Sequence, residues 1–212
     1  MAPGKKFTPE ELIQNEDFLN DLVEKIASKI TVALELKIEM LVKKNTSLAT
    51  ENKMLKNRVD ELEQYGRRNS VRIFGLSEEP NENAVNTVMK VVKDKLGIQI
   101  IKSNIDACHR VGKGTGQKPR AIICKFTSRL IRDDVFFSKK KLAGSNVSIK
   151  EDLTRDRMKL YNKVCEKFGF KSVWTLRGNV HLAYKNKKLV FSTEDSFDDW
   201  YALEAVNNTD LK

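Results

Sequence analysis

The hydrophobic positions change period along this chain, and each change marks a boundary. Leucine recurs every seventh residue at Leu34, Leu41, Leu48, Leu55 and Leu62; placing these at d puts Ile38, Asn45, Asn52 and Val59 at a. A 3.5-residue repeat with Lys and Glu the commonest residues at the other positions predicts a coiled coil. Upstream, Leu19, Val23, Ile26 and Ile30 extend the seam but reach Leu34 by a four-residue step, which predicts a stutter or break near Ser28 to Thr31. The helix start is written in "FTPEEL": Thr8 as N-cap, Pro9 at the first helical position, Glu10 and Glu11 in the first turn. Asparagine at a weakens a core unless it pairs with its symmetry mates, so Asn45 and Asn52 argue for a parallel homo-oligomer over a helix folded onto its own chain. Leu at d with Asn and Val at a favours a dimer, whereas "RVDELE" (Arg58 to Glu63) resembles a three-stranded pattern, and both stoichiometries stand.

After Gly66 the period becomes 2. "SVRIFGL" (Ser70 to Leu76), "NIDACHRVG" (Asn104 to Gly112), "RAIICKF" (Arg120 to Phe126) and "NVSIKED" read as strands, with amphipathic helices in "AVNTVMKVVKDKLGI" and "SRLIRDDVFFSKKKLAG". The order βαββαβ is the ferredoxin-like split βαβ plan, in which both helices cover one sheet face and leave the other free. A further helix follows in "EDLTRDRMKLYNKVCEKFG", capped by Asp152 or Thr154, then three strands with a Gly-Asn turn between the first two, and a closing helix in "DSFDDWYALEAV". The chain is therefore expected to be α+β: coiled coil over 1–66, RNA-recognition-like basic domain over 67–150, small α+β module over 151–206 and a tail at 207–212. Trp174 is expected in the core of that module.

Charge changes the picture from fold to partner. The net charge is +10, and residues 67–150 carry 18 Lys and Arg against 7 Asp and Glu, while the flanking segments are nearly balanced. A domain with such an excess suits an anionic polymer. If Val71 and Ile73 face the helices, Arg72 and Phe74 share the open face, a cation beside a ring able to stack on a base. Ile122, Cys124 and Phe126 are then inward and Ile123 and Lys125 outward, with no aromatic pair where RNA-recognition modules usually place one. Binding is expected to lean on phosphate charge, with weak sequence preference and steep salt dependence. The candidate contacts are Arg67, Arg68, Arg72, Phe74, Arg110, Lys118, Arg120, Lys125 and Arg177.

Other chemistries find little support. Cys108, Cys124 and Cys165 have no metal or redox spacing, His109 has no partner at ligand spacing, and "GKGTG" lacks the phosphate-loop pattern, so no metal, cofactor or enzymatic activity is expected. No apolar run is long enough to span a membrane. The reduced cysteines suggest an intracellular protein, cytoplasmic or nuclear. A protein-interaction adaptor is the main rival, although it gives no reason for the charge to gather in one domain.

The succession of "ENKMLKNRVDELEQYGRRNSVRIFGLSEE", "IDACHRVG", "KPRAIICKF", "VSIKEDLT" and "VWTLRGNVHL" resembles the first open-reading-frame RNA-binding protein of LINE-type retrotransposons, in the branch shared with the C-terminal domain of the baculovirus few-polyhedra protein. The resemblance implies a parallel trimer whose heads hold single-stranded RNA, or DNA, without strong sequence preference and act as its chaperone. Carried over by position, it singles out Arg67, Arg68, Arg110 and Lys125. A few-polyhedra-like structural or assembly role shares the same architecture.

Overall fold

The predicted rod is one uninterrupted helix, α1 (Glu16–Gly66), in a computed structural model that describes residues 8–9, 16–114 and 118–207. The four-residue step before Leu34 produces no break at Ser28–Thr31. A helix accommodates such a phase shift by letting its apolar stripe drift around the axis while its backbone hydrogen bonds stay intact. One-turn ion pairs at 2.6 Å, Asp21 with Lys25 and Glu39 with Lys43, lie on either side of the step. Leu34, Ile38, Leu41, Leu48, Leu55, Val59 and Leu62 are each more than half exposed, and the polar a residues Asn45 and Asn52 are exposed as well. Glu10 and Glu11, half of the predicted start signal, lie outside the described residues.

The chain divides into two compact units, one up to Lys56 and one from Asn57 onward. The second holds the last turns of α1 and two hydrophobic cores. The first core belongs to β1 (Ser70–Phe74), α2 (Ala84–Val91, prolonged by a wide turn over Val92–Leu96), β2 (Ile105–Arg110), β3 (Ile122–Phe126), α3 (Arg129–Phe137, prolonged by a tight turn over Ser138–Leu142) and β4 (Ser148–Glu151). The strands form an antiparallel sheet in the order β2-β3-β1-β4, so β1 and β3 are central. Val71, Ile73, Ile122, Cys124, Phe126 and Ile149 face the helices and pack on Val88, Val92, Leu96, Val135 and Phe136. The alternation read from the sequence is the one observed.

Two lysines of the run that follows α3, Lys139 to Lys141, make contacts within the first core. Lys141 donates to the carbonyl of Leu96 at 2.7 Å, neutralising the end of α2, and Lys139 lies 3.7 Å from the Phe136 ring centre.

The second core is built by α4 (Arg155–Phe168), β5 (Val173–Leu176), β6 (Asn179–Tyr184), β7 (Lys187–Phe191) and α5 (Glu194–Asn207), with the strands in sequence order. Of the two candidate caps Thr154 is the one used: its hydroxyl accepts from the Arg157 amide at 3.3 Å. Leu160, Val164, Cys165, Val173, Val180, Leu182, Phe191 and Phe197 fill the core. The β5–β6 turn is centred on Arg177 and Gly178, one residue earlier than the predicted Gly-Asn, with φ of 55° and 80°. Two consecutive left-handed residues give the turn that matches strand twist in a two-residue hairpin. Among the described residues no helix is long and apolar enough to cross a membrane.

Candidate nucleic-acid interface

The end of α1 is tied to both cores through buried polar groups. Gln64, 5% exposed, donates from Nε2 to the carbonyl of Asp152 at 3.0 Å, and its Oε1 accepts from the Thr154 amide at 3.0 Å. One turn earlier Asp60 accepts from Arg157 Nε at 2.8 Å and from the Thr154 hydroxyl. Glu151, at the end of β4, accepts from Arg132 at 2.8 Å and from the amides of Arg177 and Gly178 at 2.8 and 3.1 Å. A buried carboxylate is tolerable only when paired and hydrogen-bonded. Glu151 meets that condition by tying α3 to the β5–β6 turn.

This scaffold sorts the nine sequence candidates. Arg67 is held by Glu63 at 2.6 Å and Asp152 at 3.0 Å; burial opposes its charge, but the Glu63 and Asp152 interactions prevail and raise its pKa. Arg72 donates to the same Asp152 at 2.6 Å. Arg110 is enclosed: Nε and Nη2 donate to Glu82 at 2.6 and 2.8 Å, and the guanidinium also reaches the carbonyls of Leu76, Ser77 and Arg120. Its side chain is 7% exposed, so it fastens the loop after β1 to the β2–β3 edge and has little left to offer a phosphate. Arg120 is paired with Glu78 at 2.9 Å through Nε and through its own amide. Lys125 is exposed and bonded to Asp106 at 2.7 Å. Lys118 is exposed and makes no ion pair with a described residue. Of the "GKGTG" loop, Thr115 and Gly116 lie outside the described residues.

Arg68 and Arg177 differ from the paired candidates, and they are neighbours. Together with Arg67, Arg129, Arg132, Gln64, Glu151, Asp152 and Gly178 they line one narrow cleft of about 10 Å³, room for little more than a water, with the Arg177 side chain exposed to solvent. Five guanidinium groups there face two carboxylates, both already bonded. Arg68 rests 4.5 Å above the Tyr65 ring, Arg129 has only a 3.9 Å approach to Asp133, and the exposed Arg177 side chain makes no bond to a described residue. Arg132 is 4% exposed, yet its Nε is the one buried side-chain nitrogen or oxygen without a partner among the described residues. The cleft is thus electropositive and holds an unmatched donor in its wall.

Arg129 and Arg132 were absent from the sequence candidates. The signal for Arg132 is its place on the inner stripe of α3, where Arg132, Val135 and Phe136 share one buried face. A cation at such a position must find a carboxylate, and only the tertiary fold reveals that Glu151 is the one.

Each of the two sheets also carries an aromatic side chain on its outer face. On the free face of the first sheet, half-buried Phe74 has Lys150 5.5 Å from its ring centre, with Arg72, Ile123 and Lys125 alongside in the β1–β3 and β1–β4 registers. On the second sheet Trp174 belongs to neither core, contrary to the expectation from sequence. It is half-buried on the outer face, stacked on His181 across the β5–β6 ladder at 5.5 Å with planes 16° apart, and Val190 continues the row. Its neighbours Val173 and Leu182 take the inner face instead.

Among the described residues no group of three or more His, Cys, Asp and Glu side chains could hold a metal ion. No protein-family model matches the chain, and no curated protein matches it.

Proposed function

We propose that this chain is a non-enzymatic, weakly sequence-specific binder of single-stranded RNA that works as a coiled-coil homo-oligomer and chaperones the strand it holds, in the manner of the LINE-type proteins it resembles. The observation that supports this reading most is the cleft in which Arg68, Arg129 and Arg177 retain donors for an anion. A strand of phosphates offers successive acceptors to such a cluster, and bidentate guanidinium bonds are the strongest available to it. Phe74 and the Trp174–His181 pair supply ring faces on which any base can stack, which adds affinity and little sequence preference. Arg67, Arg72 and Arg110 act indirectly, by holding the framework that presents the cleft. The protein is intracellular on this reading, with residence following that of its RNA.

The adaptor alternative has one observation of its own: Leu130 and Phe137 stand exposed, 77% and 55%, on the outer side of α3. Those two side chains suit a protein partner better than a phosphate chain.

The test is single-stranded RNA binding by the full chain across a salt series, with Arg68→Glu, Arg129→Glu and Arg177→Glu combined. Removing one phosphate-neutralising arginine lowers the logarithmic salt slope by about 0.7 for a single strand. The triple variant is expected to show a slope shallower by about two units and an affinity at least tenfold weaker, with an unchanged circular dichroism spectrum and oligomer mass. Unaltered binding in a folded triple variant would refute the cleft, and a wild-type chain indifferent to single-stranded RNA even at low salt would favour the adaptor.

A further inference from the structure

The three cysteines are free thiols, and two of them are cross-strand partners. Cys108 on β2 is paired with Cys124 on β3, and both side chains point to the helix-covered face, where Cys124 is fully buried and Cys108 packs at the margin of the core. The ladder geometry brings them close. The Val111 amide donates to the carbonyl of Ala121 at 2.8 Å, which marks that pair as hydrogen-bonded. Counting back in alternation, Arg110 and Ile122 are a non-hydrogen-bonded pair, His109 and Ile123 a bonded one, and Cys108 and Cys124 non-bonded again. At non-bonded positions the Cα atoms approach to about 4.5 Å and the side chains are nearest, which lies inside the range a disulfide accepts.

Access is one-sided. Cys108 is partly exposed and lines an open cleft of about 600 Å³ together with Glu82, His109, Arg110 and Arg120, whereas Cys124 is fully buried. We infer that Cys108 and Cys124 form a peroxide-responsive pair, Cys108 the sulfur that is oxidised and Cys124 the sulfur that resolves it into an intrachain disulfide. In the first step the Cys108 sulfur attacks hydrogen peroxide, forming the S–O bond of a sulfenic acid as the O–O bond breaks and water leaves. In the second the Cys124 thiol displaces the hydroxyl of that sulfenic acid, forming the S–S bond and releasing a second water. One peroxide is reduced and two thiols are oxidised.

The local charges favour this division of roles. A hydrogen bond from the Cys124 thiol, helped by Arg110 and opposed by burial and Glu82, holds the Cys108 pKa below the ordinary thiol range. That same hydrogen bond, with burial, pushes Cys124 upward. Thiolate character and exposure decide which cysteine oxidises first, and a neighbouring thiol diverts the sulfenic acid from irreversible oxidation. Cys165 is an internal control: it is 3% exposed in the other core and burial raises its pKa.

The experiment treats the full chain with hydrogen peroxide and reads thiol titration, intact mass and peptide mapping. The expected result is a fall from three free thiols to one, a mass decrease of two hydrogens, and a Cys108–Cys124 cross-linked peptide with Cys165 unmodified, all reversed by dithiothreitol. In Cys124→Ala, dimedone should trap a sulfenic acid at Cys108; in Cys108→Ser, both remaining thiols should persist. Three thiols surviving in the wild type would overturn the inference. So would sulfinic acid at Cys108 with Cys124 still reduced, or a link between chains.

Discussion

At the scale of single residues, the fate of an arginine here is decided by which carboxylate the fold brings to it. Arg110 shows the consequence most directly. Glu82 lies 28 residues away in sequence, and the hydrogen bond from Arg110, outweighing burial, holds its carboxyl below the ordinary value of 4.5. A depressed carboxylate stabilises the fold above its unfolded pKa, and that contribution disappears as pH falls through the lower folded value. Denaturant titration from pH 7 to 3 should therefore show stability declining below about pH 4.5, and Glu82→Gln should flatten part of that decline while lowering stability at pH 7. Arg110→Ala is the harsher change, because it strands Glu82 and three carbonyls; a destabilisation of about 3–5 kcal/mol at pH 7 is expected. If Arg110 bound RNA in preference to Glu82, the same substitution would reduce binding with stability intact, and that outcome would contradict its structural assignment.

At the scale of elements, the sequence announced what periodicity controls and was silent on what long-range pairing controls. The alternation of Val71 and Ile73 with Arg72 and Phe74 gave the strand and its inner face, because a pleated strand sends neighbours to opposite sides. The same rule could not place Trp174. The core of its own module lies on one face of its strand, and a large apolar residue reads as buried there until the register shows Val173 and Leu182 occupying that side. Likewise the charge count found the basic domain but not the cleft, whose arginines come from the exit of α1, from α3 and from the β5–β6 turn. That assembly depends on Gly178. A Cβ there would lie 2.5 Å from Gln64 Cγ, and its φ of 80° disfavours any side chain. Gly178→Ala should cost about 1–2 kcal/mol from the left-handed conformation alone, and more from the displaced Gln64. The expected signature is a lowered thermal midpoint with weakened RNA binding, since Arg177 and the amides bound to Glu151 move with the turn. A substitution that left both unchanged would show that the turn does not position the cleft.

At the scale of the whole molecule, the proposed mechanism depends on joining weak sites. A cleft with three available guanidinium groups and two stacking surfaces is a modest binder at physiological salt, because each phosphate interaction is screened and each stacked base is nonspecific. Linking several such heads makes later binding events intramolecular, and avidity can then exceed single-head affinity by about 10²–10⁴. The stripe along α1 is the element suited to that linkage: Leu41 and Leu48 are 57% and 53% exposed, and the intervening a position is Asn45. Leu41→Glu with Leu48→Glu places like charges in that seam and leaves the arginine cleft untouched. Light scattering should then report a monomer where the wild type gives two or three chains, and affinity for a long single-stranded RNA should fall about 100-fold or more. Binding to an oligonucleotide too short to bridge two heads should stay nearly constant, because one cleft accounts for it. A double variant that remained multimeric would remove α1 as the joining element. A monomer that bound long RNA as tightly as the wild type would remove avidity from the mechanism and leave the arginine cleft to hold the strand alone.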